Sequence, residues 1–293
     1  MTTGIVNVLK PPGMTSHDVV SFVRRVFGLK KVGHAGTLDP AAAGVLPVFL
    51  GSATRLIEYT SDADKAYRVE LTFGYSTDSG DDTGTVIAAA PDCPSPDQAG
   101  VAAILASIAG ESDQIPPMHS AIKIDGRKLY ELARAGKTVD RPARRITIHN
   151  IAPVKISGNV VLFDVACSKG TYVRSLCADI GVRAGCPAVM SFLVRTRGGG
   201  FTIGEAKSLE EIAAAPHAAL LPGDLAVSHL PRVVLTSEQT VAFKHGQAVQ
   251  DSRLPEAPGA IAVYEDTGRL AGIGQRAPEA PQLLPCKVLS HTL

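Results

Sequence analysis

The run GHAGTLDPAAAGVLPVFLG, residues 33–51, holds a single charged side chain, Asp39, among four glycines and directly before an apolar segment that reads as buried. Pro40 pushes the Asp39 backbone out of the helical region towards an extended conformation. Gly33 and Gly36 permit tight turns or the close approach of another segment. A carboxylate on so stiff a turn, beside a core strand, is expensive to keep charged unless another group pairs with it. Two readings follow: Asp39 caps a turn or the next helix, or it is a paired acid with a chemical task.

Strands and helices alternate irregularly along the rest of the chain. GIVNVLKPPGMTS reads as a strand, a Pro-Gly turn and a helix start, with Thr15 or Ser16 as cap and Val19, Phe22, Val23 and Val26 along one helical face. In KAYRVELTFGYST, Tyr67, Val69, Leu71 and Phe73 share the core face of a strand. SATRLIEYTSD predicts a short helix and DSGDDTG an acidic turn, while residues 95–110 predict a helix opened by Ser95-Pro96 and closed at Gly110. NVVLFDVACSKGTYVRSLCADIG predicts a strand, a turn and a helix capped by Thr171. The expectation is an α+β fold around a mixed, largely antiparallel sheet. Composition changes near residue 231, and AIAVYEDTGRLAGIG predicts a β-hairpin about Asp266-Thr267-Gly268. The boundaries expected are therefore 1–230 and 231–293, the second unit small and β-rich.

With 45% hydrophobic and 19% charged residues in 293, the composition is that of a globular protein. Its five cysteines are odd in number, scattered and without a C-x-x-C pair, which argues for a reducing compartment and against a disulfide framework or zinc site. The eight histidines show no ligand spacing, and no phosphate-binding G-x-x-x-x-G-K-[ST] loop is present. Neither a signal peptide nor a run of about 18 apolar residues is found. These features predict a cytoplasmic protein without membrane, metal or cofactor. A net charge of +1 does not announce a nucleic-acid partner, but three basic clusters favour one: Arg24, Arg25, Lys30 and Lys31; Lys123, Arg127 and Lys128; Arg141, Arg144 and Arg145.

Arg174 falls in the first turn of its predicted helix, where a cation opposes the helix dipole and calls for a compensating anion, phosphate or carboxylate. Asp81 and Asp82, in the acidic turn, are candidates to orient it or Tyr172.

Taken together, LKPPGMTSHDVV, GHAGTLDPAAAGVLPVFLGSATRL, KAYRVELTFGYSTDSGDDTG, PPMHSAIKIDGRKLYELAR and CSKGTYVRSLCADIG resemble, in order and context, the bacterial tRNA pseudouridine-55 synthases, the TruB family of pseudouridine synthases. The resemblance runs from residue 4 to about 210; from 231 on, LTSEQTVAFKHGQAV and the closing hairpin resemble a small PUA-type RNA-binding domain. It implies a pseudouridine synthase-type catalytic domain that isomerises uridine 55 in the T-loop of tRNA, after flipping the base, with no cofactor. Asp39 would be the nucleophile and Arg174 its partner. Tyr67 would stack under the uracil and serve as candidate base for a ribose proton. His34 would help hold the loop open, and Tyr172 and Leu193 would wall the pocket. Met118, His119, Lys123 and Lys128 fall in a segment, about 115–145, that looks like the family's tRNA-gripping insert. Lys10, Arg141, Arg144 and Arg145 are further candidate RNA contacts. Val194 stands where many relatives carry an arginine. The expected partner is tRNA, bound by a monomer without guide RNA.

Overall fold

The computed structural model describes residues 2–61, 63–94, 96–120, 122–124, 126–251, 253–255, 259–278 and 280–289; the side chains of Lys128 and Arg134 lie outside this description. Strand β1 (Gly4–Lys10) leads through Pro11-Pro12-Gly13 into helix α1 (Ser16–Phe27). Thr15 caps α1 reciprocally with Asp18, and Gly28 ends it in the left-handed region at φ 63°. Strands β2 (Val32–His34) and β3 (Ala43–Leu50) flank the Asp39 loop. A 3-10 turn and α2 (Ile57–Ser61) precede β4 (Lys65–Phe73). A ribbon of β5 (Tyr75–Thr77) and β6 (Val86–Ala89) is followed by α3 (Gln98–Ala106) and β7 (Gly110–Gln114). An excursion of β8 (Lys123–Ile124), β9 (Arg127–Lys128) and α4 (Leu129–Arg134) ends at β10 (Arg144–Ser157). Then come β11 (Val160–Cys167), α5 (Val173–Ala184), β12 (Ala188–Gly198), β13 (Phe201–Thr202) and α6 (Leu209–Ala214). The remaining elements are β14 (Arg232–Leu235), α7 (Ser237–Lys244), β15 (Val249–Gln250), β16 (Ala260–Glu265), β17 (Leu270–Arg276) and β18 (Gln282–Val288).

Nine strands form one sheet in the order β1-β3-β12-β4-β11-β10-β7, with β2 added to β3 and β13 to β12. All its pairings are antiparallel except β3 with β12, so the α+β, mixed and largely antiparallel expectation describes the sheet. One face carries Val69, Leu71 and Phe73 of β4 and Val161, Phe163 and Val165 of β11, packed with residues of α3 and α5. Elsewhere α1 and α6 cover β1 and β3 through Val19, Val20, Val23 and Ile212. Each such buried aliphatic or aromatic side chain contributes about 1.5–3 kcal/mol.

The second sheet has five strands, ordered β14-β16-β17-β18-β15. Its inner strand β16 is buried on both faces: Ala262 and Tyr264 pack with Ile5, Val45 and Phe49 of the large sheet, while Ile261 and Val263 pack with Phe243 of α7. A Lys287–Glu58 ion pair at 3.0 Å and a hydrogen bond from Arg55 to the Val288 carbonyl at 2.6 Å reinforce this junction. Among the described residues no helix is long and apolar enough to cross a membrane.

Two helix boundaries differ from the sequence expectation. α3 is capped by Asp97 and stops before Ser107, and Gly110, at φ 101°, opens β7 instead of closing the helix. Thr171 does not cap α5: its hydroxyl donates to the Ser168 carbonyl at 3.0 Å, and Tyr172 occupies the cap position without a side-chain bond.

The parallel contact of β3 with β12 depends on Gly44, at φ 111°, where a Cβ would lie 2.2 Å from the Arg195 carbonyl oxygen. Gly44→Ala is expected to lower stability by at least about 2 kcal/mol, combining backbone strain with overpacking. Gly200→Ala, with nothing within 4 Å of the added carbon, is expected to stay within about 0.5 kcal/mol. Urea-unfolding midpoints at unchanged slope measure both.

Candidate active site

Asp39 lies on a loop whose backbone is held almost atom by atom. Ser16 Oγ accepts from the Leu38 amide at 2.9 Å and donates to the Leu38 carbonyl at 3.0 Å. The Gly13 amide donates to the Pro40 carbonyl at 2.8 Å. Lys10 Nζ donates to the carbonyls of Pro11 at 2.9 Å, Pro40 at 3.2 Å and Ala42 at 2.7 Å. From β12, Arg195 donates Nε to the Val45 carbonyl at 2.7 Å and one terminal nitrogen to the Gly36 carbonyl at 3.0 Å. Lys10 and Arg195 are both buried, so two desolvated cations hold the loop through carbonyl dipoles.

This corrects the expectation for Lys10. It is a brace beneath the loop and not an RNA contact, because its ammonium is fully buried and its donors are occupied by carbonyls.

Arg174, two residues into α5, reaches Asp39 with Nε at 3.2 Å from Oδ2. Its side chain is 7% exposed and that of Asp39 38%, so the cation is sequestered while the carboxylate stays open to solvent. The other guanidinium nitrogens donate to the Ser79 carbonyl at 2.9 Å and the His119 carbonyl at 2.7 Å. A second carboxylate, Asp81, stands 4.0 Å from Arg174. Burial pushes the Asp81 carboxyl up. Hydrogen bonds from Thr83 and Ser79, with the Arg174 charge, outweigh it and hold the group below the usual carboxylate range. Asp82 is pushed up by burial and by Asp81, and its amide straps the acidic turn to β12 at the Met190 carbonyl, 3.2 Å away.

Tyr67 and Arg195 are direct cross-strand partners on β4 and β12, as are Val69 and Leu193. Tyr67, Leu193, Leu38 and Ala42 belong to one buried cluster, which brings Tyr67 and Leu193 beside the Asp39 loop. Burial raises the Tyr67 phenol above its ordinary range; the Arg195 guanidinium, its hydrogen-bonding neighbour, opposes that shift, and the Asp39 charge adds to it. Tyr172 is fixed by a two-point contact with Gln114, whose Oε1 accepts from the Tyr172 amide at 2.8 Å and whose Nε2 donates to its carbonyl at 3.1 Å. His34 ends β2 opposite Val48; burial, then the Arg195 charge, hold its imidazole below the usual histidine range.

The segment between β7 and β10 leaves the sheet between two paired strands and returns to it. Met118 and His119 lie at its base, and the His119 carbonyl touches Arg174. Lys123 is exposed on the β8–β9 ribbon, and Arg144 is exposed at the start of β10. The Lys128 side chain lies outside the described residues. Arg141 donates to the Pro116 carbonyl at 3.1 Å, and Arg145 pairs with Glu111 at 3.0 Å and Asp113 at 3.6 Å while staying exposed. Among the described residues no group of three or more His, Cys, Asp or Glu side chains could hold a metal ion.

Sequence reasoning missed Arg195. The available signal was a charged residue among apolar neighbours in FLVRTRGGG, at a strand position that alternates with Leu193.

The buried Lys10 ammonium titrates at about 8, pulled down by desolvation against the attraction of Asp39, whereas an unfolded lysine titrates near 10.4. Between those values the unfolded chain binds more protons, so stability owed to this site rises with pH across that window. The difference in unfolding free energy between wild type and Lys10→Met is expected to move by on the order of 2 kcal/mol in favour of wild type from pH 7.5 to pH 10.5.

Comparison with other proteins places the chain that carries this arrangement in a family. Residues 24–173 match the model of the TruB family pseudouridylate synthase N-terminal domain, and residues 231–286 that of the pseudouridine synthase II TruB C-terminal domain. The tRNA pseudouridine synthase B of Symbiobacterium thermophilum is 50% identical, covering 84% of this chain and 82% of its own. That of Bacillus licheniformis is 41% identical, covering 99% and 98%. Among solved structures, a chain from a Cbf5-Nop10-Gar1 complex superposes with a TM-score of 0.76 at 27% identity, covering 98% of this chain and 84% of that one. With both halves matched and the relatives aligned over most of their length, the chain belongs to the TruB family of pseudouridylate synthases.

Proposed function

We propose that the protein isomerises uridine 55 in the T-loop of tRNA to pseudouridine, with Asp39 as the nucleophile acting on a flipped-out nucleotide. The observation that carries this reading is the Asp39–Arg174 pair, 3.2 Å apart, with the cation buried and the carboxylate accessible. Relatives named tRNA pseudouridine synthase B supply the substrate class. In the net reaction the bond from ribose C1′ to N1 breaks and one from C1′ to C5 forms. A proton leaves C5 and N1 takes one up, so the formula is unchanged and no redox partner is needed. Extruding the base costs a few kcal/mol, which contacts with the pocket must return. Tyr67 stacks against the uracil and exchanges a proton with the ribose; Tyr172 and Leu193 wall the pocket, and His34 stands where the loop must open. The chain acts as a monomer without a guide RNA. Its tRNA contacts come from the 115–145 segment, from Arg141, Arg144 and Arg145, and from the C-terminal sheet.

Purified protein alone, given an unmodified tRNA transcript tritiated at uracil C5, is expected to release tritium and leave one pseudouridine in the T-loop. Asp39→Asn is expected to slow release by at least about 10⁴-fold while tRNA affinity changes less than about threefold. Release by this variant near the wild-type rate would falsify the nucleophile assignment. Arg174→Ala is expected to abolish activity and lower stability by at least about 2 kcal/mol, since it strips two half-buried carbonyls of charged donors and leaves Asp39 unpaired.

Phosphate recognition predicts that log affinity for tRNA falls steeply with log salt concentration. Arg144→Ala and Lys123→Ala should each lower the slope by about one and weaken all substrates alike. A flat salt response contradicts these contacts.

A further inference from the structure

Arg195 is the largest fully buried side chain of the protein, and it belongs to no pair with a carboxylate among the described residues. Its guanidinium is spread over three neighbours: the Val45 carbonyl, the Gly36 carbonyl and the Tyr67 hydroxyl. The first two sit on either side of Asp39 in sequence, and the third is its cross-strand partner. A desolvated cation held only by neutral groups keeps its charge unneutralised, so negative charge that forms beside it is strongly stabilised. Tyr67 is the one of these three neighbours that can carry such a charge.

Chemistry fixes the direction of the contact. A guanidinium has five N–H donors and no acceptor, so toward Arg195 the phenolic oxygen can only accept. The Tyr67 hydroxyl proton is therefore left to point away from Arg195.

We propose that Arg195 is a positioning residue for Tyr67, donating to the phenolic oxygen so that the hydroxyl is aimed into the cleft and negative charge on that oxygen is stabilised when the proton moves. The inference rests on the reading of Tyr67 as the group that exchanges a proton with the ribose. In that step the phenol gives its proton to the departing uracil as the C1′–N1 bond breaks with its electron pair on N1, and the phenolate so formed takes the proton from the neighbouring ribose carbon, whose C–H pair becomes a double bond to C1′. The phenol then returns that proton to the ribose carbon as C1′ joins C5, and the phenolate takes up the C5 proton, so N1 stays protonated and the enzyme ends the turnover as it began. Burial alone would keep Tyr67 a poor base, since it favours the neutral phenol. The same guanidinium also clamps Gly36 and Val45, so the loop of Asp39 and the hydroxyl of Tyr67 are referenced to one rigid group.

The test compares wild type, Tyr67→Phe, Arg195→Met, Arg195→Lys and the Tyr67→Phe/Arg195→Met double variant. Single-turnover tritium release is followed across pH, tRNA affinity is measured separately, and the Tyr67 titration is read by NMR of ring-labelled tyrosine, assigned by its loss in Tyr67→Phe. Arg195→Met is expected to slow release about 10²-fold or more. Its tRNA affinity should hold within about threefold, and the Tyr67 titration should move up by at least about one pH unit. The double variant should lose less than the product of the two single losses, because part of the Arg195 effect passes through the hydroxyl. Arg195→Lys, which keeps the charge but loses the planar fork, should fall between. If Arg195→Met does not fold, Arg195→Lys and its double variant with Tyr67→Phe carry the same comparison. An unmoved Tyr67 titration, or additive losses in the double variant, overturns the proposal. Full activity of Tyr67→Phe instead overturns the underlying reading of Tyr67, and the two failures are thereby told apart.

Discussion

The guanidinium of Arg174 joins parts of the protein that fold separately. Its partners come from the loop after β2, the turn after β5 and the base of the excursion that follows β7. Placed in the first turn of α5, this cation opposes the helix dipole by about 0.3–1 kcal/mol. Hydrogen bonds from a charged donor to two carbonyls, worth about 1.5–3 kcal/mol each, outweigh that penalty. The Arg174 contacts are thus complete only when all three segments have come together. A lysine could supply the charge but not the fork that reaches three partners in one plane.

Around Asp39 the protein invests in backbone rigidity more than in side-chain contacts. Lys10 and Arg195 hold carbonyls before and after Asp39, and Ser16 saturates both polar groups of Leu38. A loop held in this way needs little reorganisation when charge shifts in the transition state, which is the condition under which fixed dipoles accelerate a reaction. The glycines of the stretch have a concrete role at one point: Gly44 lets β3 approach the backbone of β12 where Arg195 enters the site.

Local signals carried the reading of the fold where they were self-contained. The Thr15–Asp18 capping box, the period-two burial of Tyr67, Val69, Leu71 and Phe73, and the hairpin at Asp266-Thr267-Gly268 can each be read within a few residues. Asp39 and Arg174 could each be recognised as needing a partner, but their 3.2 Å contact joins positions far apart in the chain. Family resemblance proposed it; periodicity and composition could not. Lys10 was misread because a lysine at the end of a strand looks solvent-bound until the packing of Pro40 and Ala42 over it is known. Arg195 escaped because its local signal, a charge two residues from Leu193 on an apolar strand, is weak without the packing that shows which face is buried. The α5 cap was misplaced because Thr171 has a competing local bond to Ser168, an ordinary choice for a threonine in a turn.

Charge in this protein is positioned rather than abundant. The whole chain carries a formal +1, yet Lys10, Arg174 and Arg195 set three cations against the two carboxylates Asp39 and Asp81 in the site itself. The local excess is therefore one positive charge, desolvated and fixed. In the proposed isomerisation, negative charge grows on uracil as its bond to ribose C1′ breaks, and on the phenol when it yields a proton. Both events lower the electrostatic energy of a floor that is under-neutralised at rest. In that proposal the exposed arginines and lysines of the 115–145 segment, screened within about 8–10 Å by salt, gather the RNA; the buried three, less open to that screening, act on the bond.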